Sequence, residues 1–240
     1  MIRGMFCSLA LLCGLGTFAH GQSKTGFLEK THKNADGTES PYVLFLPANY
    51  DGKTEVPVIL FLHGAGETKG GTKKPVEVGL GPVIKKEQDF PAIVVIPQSE
   101  KRTWQAVSDD GKRALAILDT VTKEYKTDAK RTYLTGLSMG GYGTWSIIAT
   151  QPEKFAAIVP ICGGGDPNAA AKFKDVPCWC FHGDKDPAVN VQKSRDMIEA
   201  LKKAGGSPKY TEYPGVGHNS WDAAYADKEM WKWLFAQKKK

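Results

Sequence analysis

The most chemically informative stretch of this 240-residue sequence is a serine flanked by glycines. Residues 136–140 read Gly-Leu-Ser-Met-Gly, between a short predicted strand and a predicted helix. A serine hydroxyl becomes an effective nucleophile only when it is exposed and lies beside a base. The glycines two positions either side of Ser138 permit the sharp turn that exposes it, and the following helix N-terminus favours negative charge nearby. The pattern predicts a catalytic nucleophile; a glycine-rich packing turn is the alternative.

A general base is expected in a loop after a later strand. His218 lies in the sequence Gly-Val-Gly-His-Asn at 215–219, directly after the last predicted strand. The surrounding glycines give a loop that can aim the imidazole back at Ser138. The competing candidates are His63 and His182, which stand in His-Gly pairs at strand ends, where a structural role is more common. We therefore predict that His218 is the base.

An acid should orient that histidine and stabilise its charged form. Two aspartates, Asp184 and Asp186, follow the predicted strand that ends at residue 181. Pro187 fixes the backbone after Asp186 and marks a turn from which an acid could point inward. Asp184 fits better as a turn residue whose side chain accepts local N–H groups. Asp186 is the preferred candidate, and the chain order Ser138, Asp186, His218 is the one expected for a strand-turn-helix nucleophile.

The developing negative charge on a reacting carbonyl oxygen needs two hydrogen-bond donors. One is expected to be the backbone N–H of Met139, the residue after the nucleophile. The other should come from the loop His-Gly-Ala-Gly-Glu at 63–67, where small residues permit close approach. Ala65 is the first choice and Gly66 the second, while a plain glycine turn is the alternative for this loop.

Two tryptophans are predicted to lie near the same edge. Trp104 follows the third apolar strand, and Trp221 comes just after His218. Their rings could stack on a sugar or a phenolic acid in the substrate. Hydrophobic packing is the alternative for both, so they are named as possible substrate-lining residues.

Apolar strands alternate with helical patterns along the chain, which predicts a mostly parallel sheet with helices on both faces. In such sheets reactive groups lie in loops outside the carboxyl ends of the strands, where the candidates above fall. We expect one domain over residues 22–240, without a large lid. Strands are predicted at 41–46, 56–62, 92–96, 133–135, 157–161, 178–181 and 209–213, and helices at 109–126, 139–149, 191–204 and 222–235.

The first 21 residues have the pattern of a secretory signal peptide. Arg3 precedes an apolar run, and Ala-His-Gly at 19–21 gives small residues at the −3 and −1 positions of a cut before Gln22. A buried N-terminal helix is the alternative, and a lipidated Cys13 is disfavoured because Leu12 is large for that site. The protein is therefore expected to be secreted or periplasmic.

Three cysteines would remain after removal of that segment: Cys162, Cys178 and Cys180. An odd number leaves at least one thiol free in a monomer. We expect Cys178 and Cys180 to point to opposite faces of a strand and so not to pair with each other, although one of them could reach Cys162. Three buried, small apolar residues are the favoured interpretation. The spacing is not that of a zinc site, so no metal is expected.

Composition excludes several classes of protein. With 41% hydrophobic and 24% charged residues the chain is not disordered. The net charge is +6, but a terminal run of three lysines supplies half of it, and no basic run lies among aromatics. Nucleic-acid binding is therefore not expected. No apolar run reaches the 18 or more residues that a membrane span needs.

These motifs together resemble the α/β-hydrolase superfamily. Within it the chain is most similar to small secreted esterases, namely the dienelactone-hydrolase, phospholipase/carboxylesterase and polyhydroxybutyrate-depolymerase-like group, which includes feruloyl and acetyl-xylan esterases. In relatives the loop after the early strand often continues Glu-Arg-Gly, whereas here it continues Glu-Thr-Lys-Gly. The resemblance covers about residues 40–236 and rests on the segments 62–67, 136–143, 182–186 and 217–218.

The resemblance implies a serine carboxylic ester hydrolase that acts through an acyl-enzyme on short-chain or polymer-attached acetyl or feruloyl esters. The expected partner is a small-molecule or polysaccharide-linked ester, with no metal and no organic cofactor. The alternatives are a serine peptidase of the same superfamily, a polyester depolymerase, and a binding protein with an inactive site.

Overall fold

A computed structural model describes residues 25–87 and 89–240 of the chain. The signal-peptide prediction for residues 1–21 lies outside the described residues. The strands are β1 Gly26–Lys33, β2 Glu39–Leu46, β3 Val56–Leu62, β4 Ile93–Pro97, β5 Thr127–Leu137, β6 Ala157–Ile161, β7 Trp179–Gly183 and β8 Lys209–Tyr213. The α-helices are α1 Leu80–Lys86, α2 Asp109–Glu124, α3 Met139–Ile148, α4 Gln192–Lys203, α5 Trp221–Ala226 and α6 Lys228–Ala236.

The eight strands form one sheet in the order β1-β2-β4-β3-β5-β6-β7-β8. The pairs β1–β2 and β2–β4 are antiparallel, and every other neighbouring pair is parallel. The predicted mostly parallel sheet is therefore confirmed. The carboxyl ends of β3, β5, β7 and β8 come to one edge, which is where the loops with the candidate residues begin.

Each face of the sheet carries its own hydrophobic core. Alternate residues of β3 point to opposite faces: Leu60 belongs to the core that α2, α3 and α4 also line, whereas Phe61 belongs to the core that α1, α5 and α6 also line. Strands buried on both sides need apolar residues at nearly every position, which explains the continuous apolar runs in the sequence. Burying each large apolar side chain stabilises the fold by about 1.5–3 kcal/mol. The strand ends that carry the candidate site residues are therefore held by a well-packed core.

The sequence predicted most elements but not all of their limits. β1 and α1 were not predicted, and β5 begins at Thr127 rather than 133. The predicted helix at 222–235 is in fact two helices, because Asp227 has extended backbone (φ −75°, ψ 107°) and its carboxylate accepts the N–H groups of Glu229 and Met230. That side chain caps α6 and separates it from α5.

One prediction about the cysteines is wrong and another is confirmed. Cys178 and Cys180 both pack in the core under α2, α3 and α4, because side chains two residues apart in extended chain share a face. Cys162 lies in the core on the other face. All three cysteines in the described part of the chain are free and buried, as the packing interpretation predicts.

No helix among the described residues has both the length and the apolarity that crossing a bilayer requires.

Candidate active site

Ser138 lies at the turn between β5 and α3 in a backbone conformation that side chains rarely adopt. Its φ is 54° and its ψ is −116°, and its N–H donates to the carbonyl oxygen of Ile161 at 3.0 Å. Such geometry costs about 1–3 kcal/mol and persists only where the surroundings impose it. The turn therefore presents the Ser138 hydroxyl at the sheet edge, and its strained backbone lowers the stability of the fold.

The glycines of the pentapeptide are required by close backbone packing. A β-carbon on Gly140 would lie 1.9 Å from the carbonyl oxygen of Leu62, and one on Gly136 would lie 2.4 Å from the carbonyl oxygen of Gly140. Both contacts involve backbone, which cannot move aside as a flexible side chain can. The spacing seen in the sequence is thus a steric condition for bringing β3, β5 and α3 together at Ser138.

Replacing Gly140 with alanine should displace this turn. We expect the free energy of unfolding to fall by about 1–3 kcal/mol and the rate of ester hydrolysis in the assay below to fall with it, because α3 must shift away from Leu62. Chemical denaturation and hydrolysis of p-nitrophenyl acetate measure the two effects. Gly217→Ala is the control, since a β-carbon there meets no atom within 4 Å. Equal stability of the two variants would contradict the steric argument.

The structure brings His218 against Ser138. Its Nε2 lies 2.9 Å from Ser138 Oγ, and its Nδ1 lies 2.7 Å from Asp186 Oδ2. Because a carboxylate only accepts, Nδ1 carries the proton and Nε2 is free to accept the serine hydroxyl. The three side chains therefore form a hydrogen-bonded series from the nucleophile through the base to the acid. The imidazole is partly exposed, whereas the carboxylate is fully buried.

The carboxylate of Asp186 accepts four hydrogen bonds, which keep it ionised despite its burial. The donors are His218, His182 and the backbone N–H groups of Ala188 and Val189. Burial would raise its pKa, but the hydrogen bond from His218 and the N–H groups of Val189 and Ala188 outweigh that effect, so the pKa of Asp186 lies below its usual range. Oδ1 accepts the two backbone N–H groups at 2.9 and 2.8 Å. This carboxylate is thus charged and fixed in orientation before any substrate arrives.

Asp184, the competing candidate, has a different role in the structure. Its Oδ1 accepts the N–H of Gly215 at 2.7 Å, across the gap between the loops after β7 and β8. That bond ties the base of the His218 loop to the strand beside it. Asp184 therefore supports the loop, and Asp186 is the acid that contacts the histidine.

His182 is a second histidine on the same carboxylate, which the sequence reasoning treated only as a strand-end residue. Its Nε2 lies 3.1 Å from Asp186 Oδ2 and 3.0 Å from the carbonyl oxygen of Val189. Both neighbours accept, so Nε2 carries the proton and Nδ1 faces the hydroxyl of Ser194 at 2.7 Å. Burial lowers the pKa of His182, consistent with a neutral ring. It holds Asp186 from the side opposite His218.

The loop that follows β3 lies directly against the nucleophile. A β-carbon on Gly64 would be 3.7 Å from Ser138 Cβ. Ala65 begins a short 3-10 turn over Ala65–Glu67, and Met139 begins α3. The first N–H groups of a helical turn have no partner within it, so both backbone donors are available to a ligand. Gly66 is exposed and has open space around it.

His63 holds this loop through both ring nitrogens. Nε2 accepts the N–H of Ser99 at 3.0 Å, and Nδ1 lies 2.6 Å from the carbonyl oxygen of Gly64. The ring must be neutral, because a protonated Nε2 could not accept. Burial lowers the pKa of His63 to about 4, although the Gly64 carbonyl and Asp110 oppose the shift. His63 is therefore structural, as the sequence suggested.

This histidine should make the fold sensitive to acid. Between its ordinary pKa of 6.5 and about 4, the unfolded chain binds a proton that the folded chain does not. The free energy of unfolding should therefore fall as pH drops through that interval, by up to about 3 kcal/mol. Urea unfolding from pH 7 to pH 4 measures the slope. His63→Gln should flatten this slope by more than His32→Gln does, a comparison that is needed because burial also lowers the pKa of His32. An unchanged slope in His63→Gln would contradict the assignment.

The expectation that Trp104 lines the substrate surface is wrong. The ring is only 1% exposed, and its Nε1 donates to the carbonyl oxygen of His63 at 2.9 Å. It packs edge-on against the His63 ring with centroids 5.0 Å apart. Trp104 therefore supports the loop from beneath. Trp221 is half-buried, and its ring meets that of His218 edge-on at 5.2 Å.

Cys162 is a component of the site that sequence reasoning missed. It is fully buried, and its sulfur lies within 4.8 Å of a carboxylate oxygen of Asp186 and a ring nitrogen of His218. Burial raises the pKa of its thiol to about 12. A neutral thiol thus lies beneath the acid and the base. The signal was its place directly after β6, on the same sheet edge as the other candidates.

Comparison with known proteins identifies the family to which the chain belongs. The profile of the dienelactone hydrolase family matches residues 35–232. A bifunctional acetylxylan esterase/xylanase of Neocallimastix patriciarum is 26% identical over 76% of this chain and 27% of its own length. A probable feruloyl esterase C of Aspergillus niger is 22% identical over 92% of this chain and 84% of its own. This chain thus spans only about a quarter of the first relative.

A solved structure gives a closer match in three dimensions. The crystal structure of a thermostable esterase is 35% identical, with a TM-score of 0.79 over 88% of this chain and 63% of that one. The feruloyl esterase module of Clostridium thermocellum has a TM-score of 0.70 at 18% identity, covering 88% of both chains, and supports the fold alone. The chain has an α/β-hydrolase fold and belongs to the dienelactone hydrolase family.

Proposed function

We propose that this protein is a serine carboxylic ester hydrolase. The observation that carries the proposal is the hydrogen-bonded series from Ser138 Oγ through His218 to Asp186, with distances of 2.9 and 2.7 Å. It lies at the carboxyl edge of the sheet, near Ala65 and Met139, whose backbone N–H groups begin helical turns and have no acceptor within those turns. A nucleophile, a base, an oriented acid and an anion-binding turn are the components that acyl transfer requires.

The geometry supports a two-step reaction. Ser138 Oγ attacks the ester carbonyl while His218 Nε2 takes its proton, and the N–H groups of Ala65 and Met139 bind the oxygen that becomes negative. The charged imidazole is stabilised by Asp186. It then protonates the leaving alcohol, and water attacks the acyl-enzyme by the same route to release the acid.

The substrate class is proposed to be short-chain esters or acetyl and feruloyl esters on plant polymers. The acetylxylan and feruloyl esterase names of the relatives support this class. Trp221, half-buried beside His218, offers the one aromatic surface among the candidate residues that a phenolic acid or a sugar could contact. The ring is only partly buried, so part of it remains accessible to a ligand.

A substrate panel tests the proposal. It contains p-nitrophenyl acetate, butyrate and octanoate, methyl ferulate, acetylated xylan, a hydroxyalkanoate oligomer and a dipeptide amide. Hydrolysis of acetyl or feruloyl esters by wild type, and not by Ser138→Ala, is the expected result. Preferred cleavage of the dipeptide amide would instead indicate a peptidase, and preferred cleavage of the oligomer a polyester depolymerase.

We also propose that the protein is exported and that residues 1–21 are removed. The support is the basic, apolar and small-residue pattern of that segment. N-terminal sequencing of the protein recovered from the periplasm or medium of an expressing cell should begin at Gln22. Recovery of the uncleaved chain in the cytoplasm would contradict the proposal.

A further inference from the structure

A series of buried polar groups leads from the Asp186 carboxylate into the core. His182 Nε2 lies 3.1 Å from Asp186 Oδ2, and His182 Nδ1 lies 2.7 Å from Ser194 Oγ on α4. That hydroxyl also lies 3.1 Å from the carbonyl oxygen of Gly163. His182 and Ser194 have no solvent exposure. An apolar pair would fill the same space without the cost of removing polar groups from water, so the polar contacts call for a functional reason.

The groups around His182 fix the position of its proton. Nε2 faces both Asp186 Oδ2 and the carbonyl oxygen of Val189, the latter at 3.0 Å, so this nitrogen carries the hydrogen. Nδ1 then has only a lone pair, to which the Ser194 hydroxyl can donate. The hydroxyl has one proton and two acceptors, and Nδ1 at 2.7 Å is nearer than the Gly163 carbonyl oxygen at 3.1 Å. Ser194 therefore favours the tautomer whose N–H points at Asp186.

Both histidines donate to the same oxygen of Asp186. The Nδ1–H of His218 and the Nε2–H of His182 both reach Oδ2, at 2.7 and 3.1 Å, while Oδ1 accepts two backbone N–H groups of its own loop. Two donors on one oxygen hold the carboxylate in place, and the His182 N–H takes up part of the negative charge that His218 would otherwise meet. Without that N–H the carboxylate should be less firmly held and should stabilise the protonated form of His218 more strongly.

The other titratable groups near this series keep one charge state between pH 5 and pH 8. Glu212, the register partner of His182 on β8, is ionised, because the hydrogen bond from an arginine on α4 lowers its pKa. The thiols of Cys162 and Cys180 and the phenol of Tyr142 stay neutral, because burial raises all three pKa values. A changed pH profile therefore reports on the two histidines and the carboxylate between them.

We propose, on the basis of the esterase function above, that His182 and Ser194 are positioning residues: Ser194 sets the tautomer of His182, whose ring N–H holds the Asp186 carboxylate against His218. Neither residue contacts the reacting atoms, and both act through Asp186. The role requires an N–H donor at the place of His182 Nε2 and not an imidazole as such. A different side chain that puts an N–H there should therefore preserve it.

Two amide variants and one hydroxyl deletion test the proposal. Glutamine can place an N–H near the position of Nε2, whereas asparagine is shorter and reaches only the position of Nδ1. For p-nitrophenyl acetate, we expect kcat to fall about tenfold in His182→Asn and the acid limb of the kcat/KM profile to move up by about half a pH unit. His182→Gln should keep roughly a third or more of the wild-type kcat and an unshifted profile. Ser194→Ala should shift the profile in the same direction as His182→Asn, with a loss of about threefold, and Ser207→Ala, at an exposed position after α4, is the control.

Labelling by an ethoxy fluorophosphonate separates positioning from folding, because its endpoint counts the folded sites to which each kcat is referred. Equal losses in His182→Asn and His182→Gln with an unshifted profile would overturn the proposal, since a structural role alone predicts that result. If His182→Asn yields no sites to count, Ser194→Ala decides: a profile shifted to higher pH supports the proposal, and an unshifted one overturns it. If wild type hydrolyses no ester, the esterase assignment fails, while the pH dependence of the labelling rate still tests His182 and Ser194.

Discussion

Replacing Ser138 with alanine should lower kcat/KM for p-nitrophenyl acetate by about 10⁵-fold without unfolding the protein. The hydroxyl lies 2.9 Å from His218 Nε2, and the variant removes the nucleophile from which this nitrogen takes a proton. The backbone N–H groups of Ala65 and Met139 remain. Residual activity should therefore reflect water attack on a polarised ester rather than an acyl-enzyme.

Alanine is a suitable replacement because it has the same β-carbon as serine, so the steric cost of the positive φ at this position is unchanged. Thermal unfolding should be close to wild type, and labelling by a fluorophosphonate should disappear. Ser207→Ala, at an exposed site after α4, is the control and should behave as wild type in both assays. Wild-type rates in Ser138→Ala would refute the mechanism, whatever the substrate.

Changing Asp186 to asparagine should lower kcat by about 10⁴-fold and also destabilise the fold. The amide oxygen can still accept the N–H groups of Ala188 and Val189. Its NH₂ group must then face the ring N–H groups of both His218 and His182, where wild type presents an acceptor to each. His218 loses the tautomer that leaves Nε2 free, which stops proton transfer from Ser138.

The stability effect follows from the second histidine. His182 is fully buried, and its Nε2–H would oppose a donor, at a cost of about 1–3 kcal/mol. For a chain of this size that should lower Tm by about 2–4 °C for each kcal/mol. Asp184→Asn is the matched control, because Asp184 contacts Gly215 and neither histidine. Loss of activity in Asp184→Asn with normal activity in Asp186→Asn would reverse the assignment of the acid.

The parts of the site that the sequence predicts are those encoded by local spacing. The turn at Ser138 can be predicted from the sequence because close backbone contacts leave room only for glycine at positions 136 and 140. Asp186 and His218 follow strands of a recognisable alternating pattern, so their meeting at one sheet edge could be inferred from topology alone. The structure places all three where that inference requires, with hydrogen-bond distances between them.

Features that depend on distant packing were not predictable in the same way. Trp104 is buried because α3 passes over it: a β-carbon on Gly143 would lie 2.3 Å from Trp104 Cβ. The residues near position 104 do not indicate that α3 packs against this side chain. The contact between His182 and Asp186 likewise depends on how the loop after β7 folds back on its own strand. β1 is a half-exposed edge strand with few apolar residues. Its composition therefore does not predict a strand, and its extended structure depends on pairing with β2.

The left-handed backbone at Ser138 also has a bearing on how this protein can vary. At φ 54° glycine would be the most comfortable residue, so the nucleophile occupies a position where another amino acid would give a more stable chain. Selection for stability and selection for reactivity therefore oppose each other at this one residue. A lineage that lost the need for catalysis would be expected to drift to glycine there, and a relative with glycine at this turn would be a candidate for a non-enzymatic descendant of the same fold.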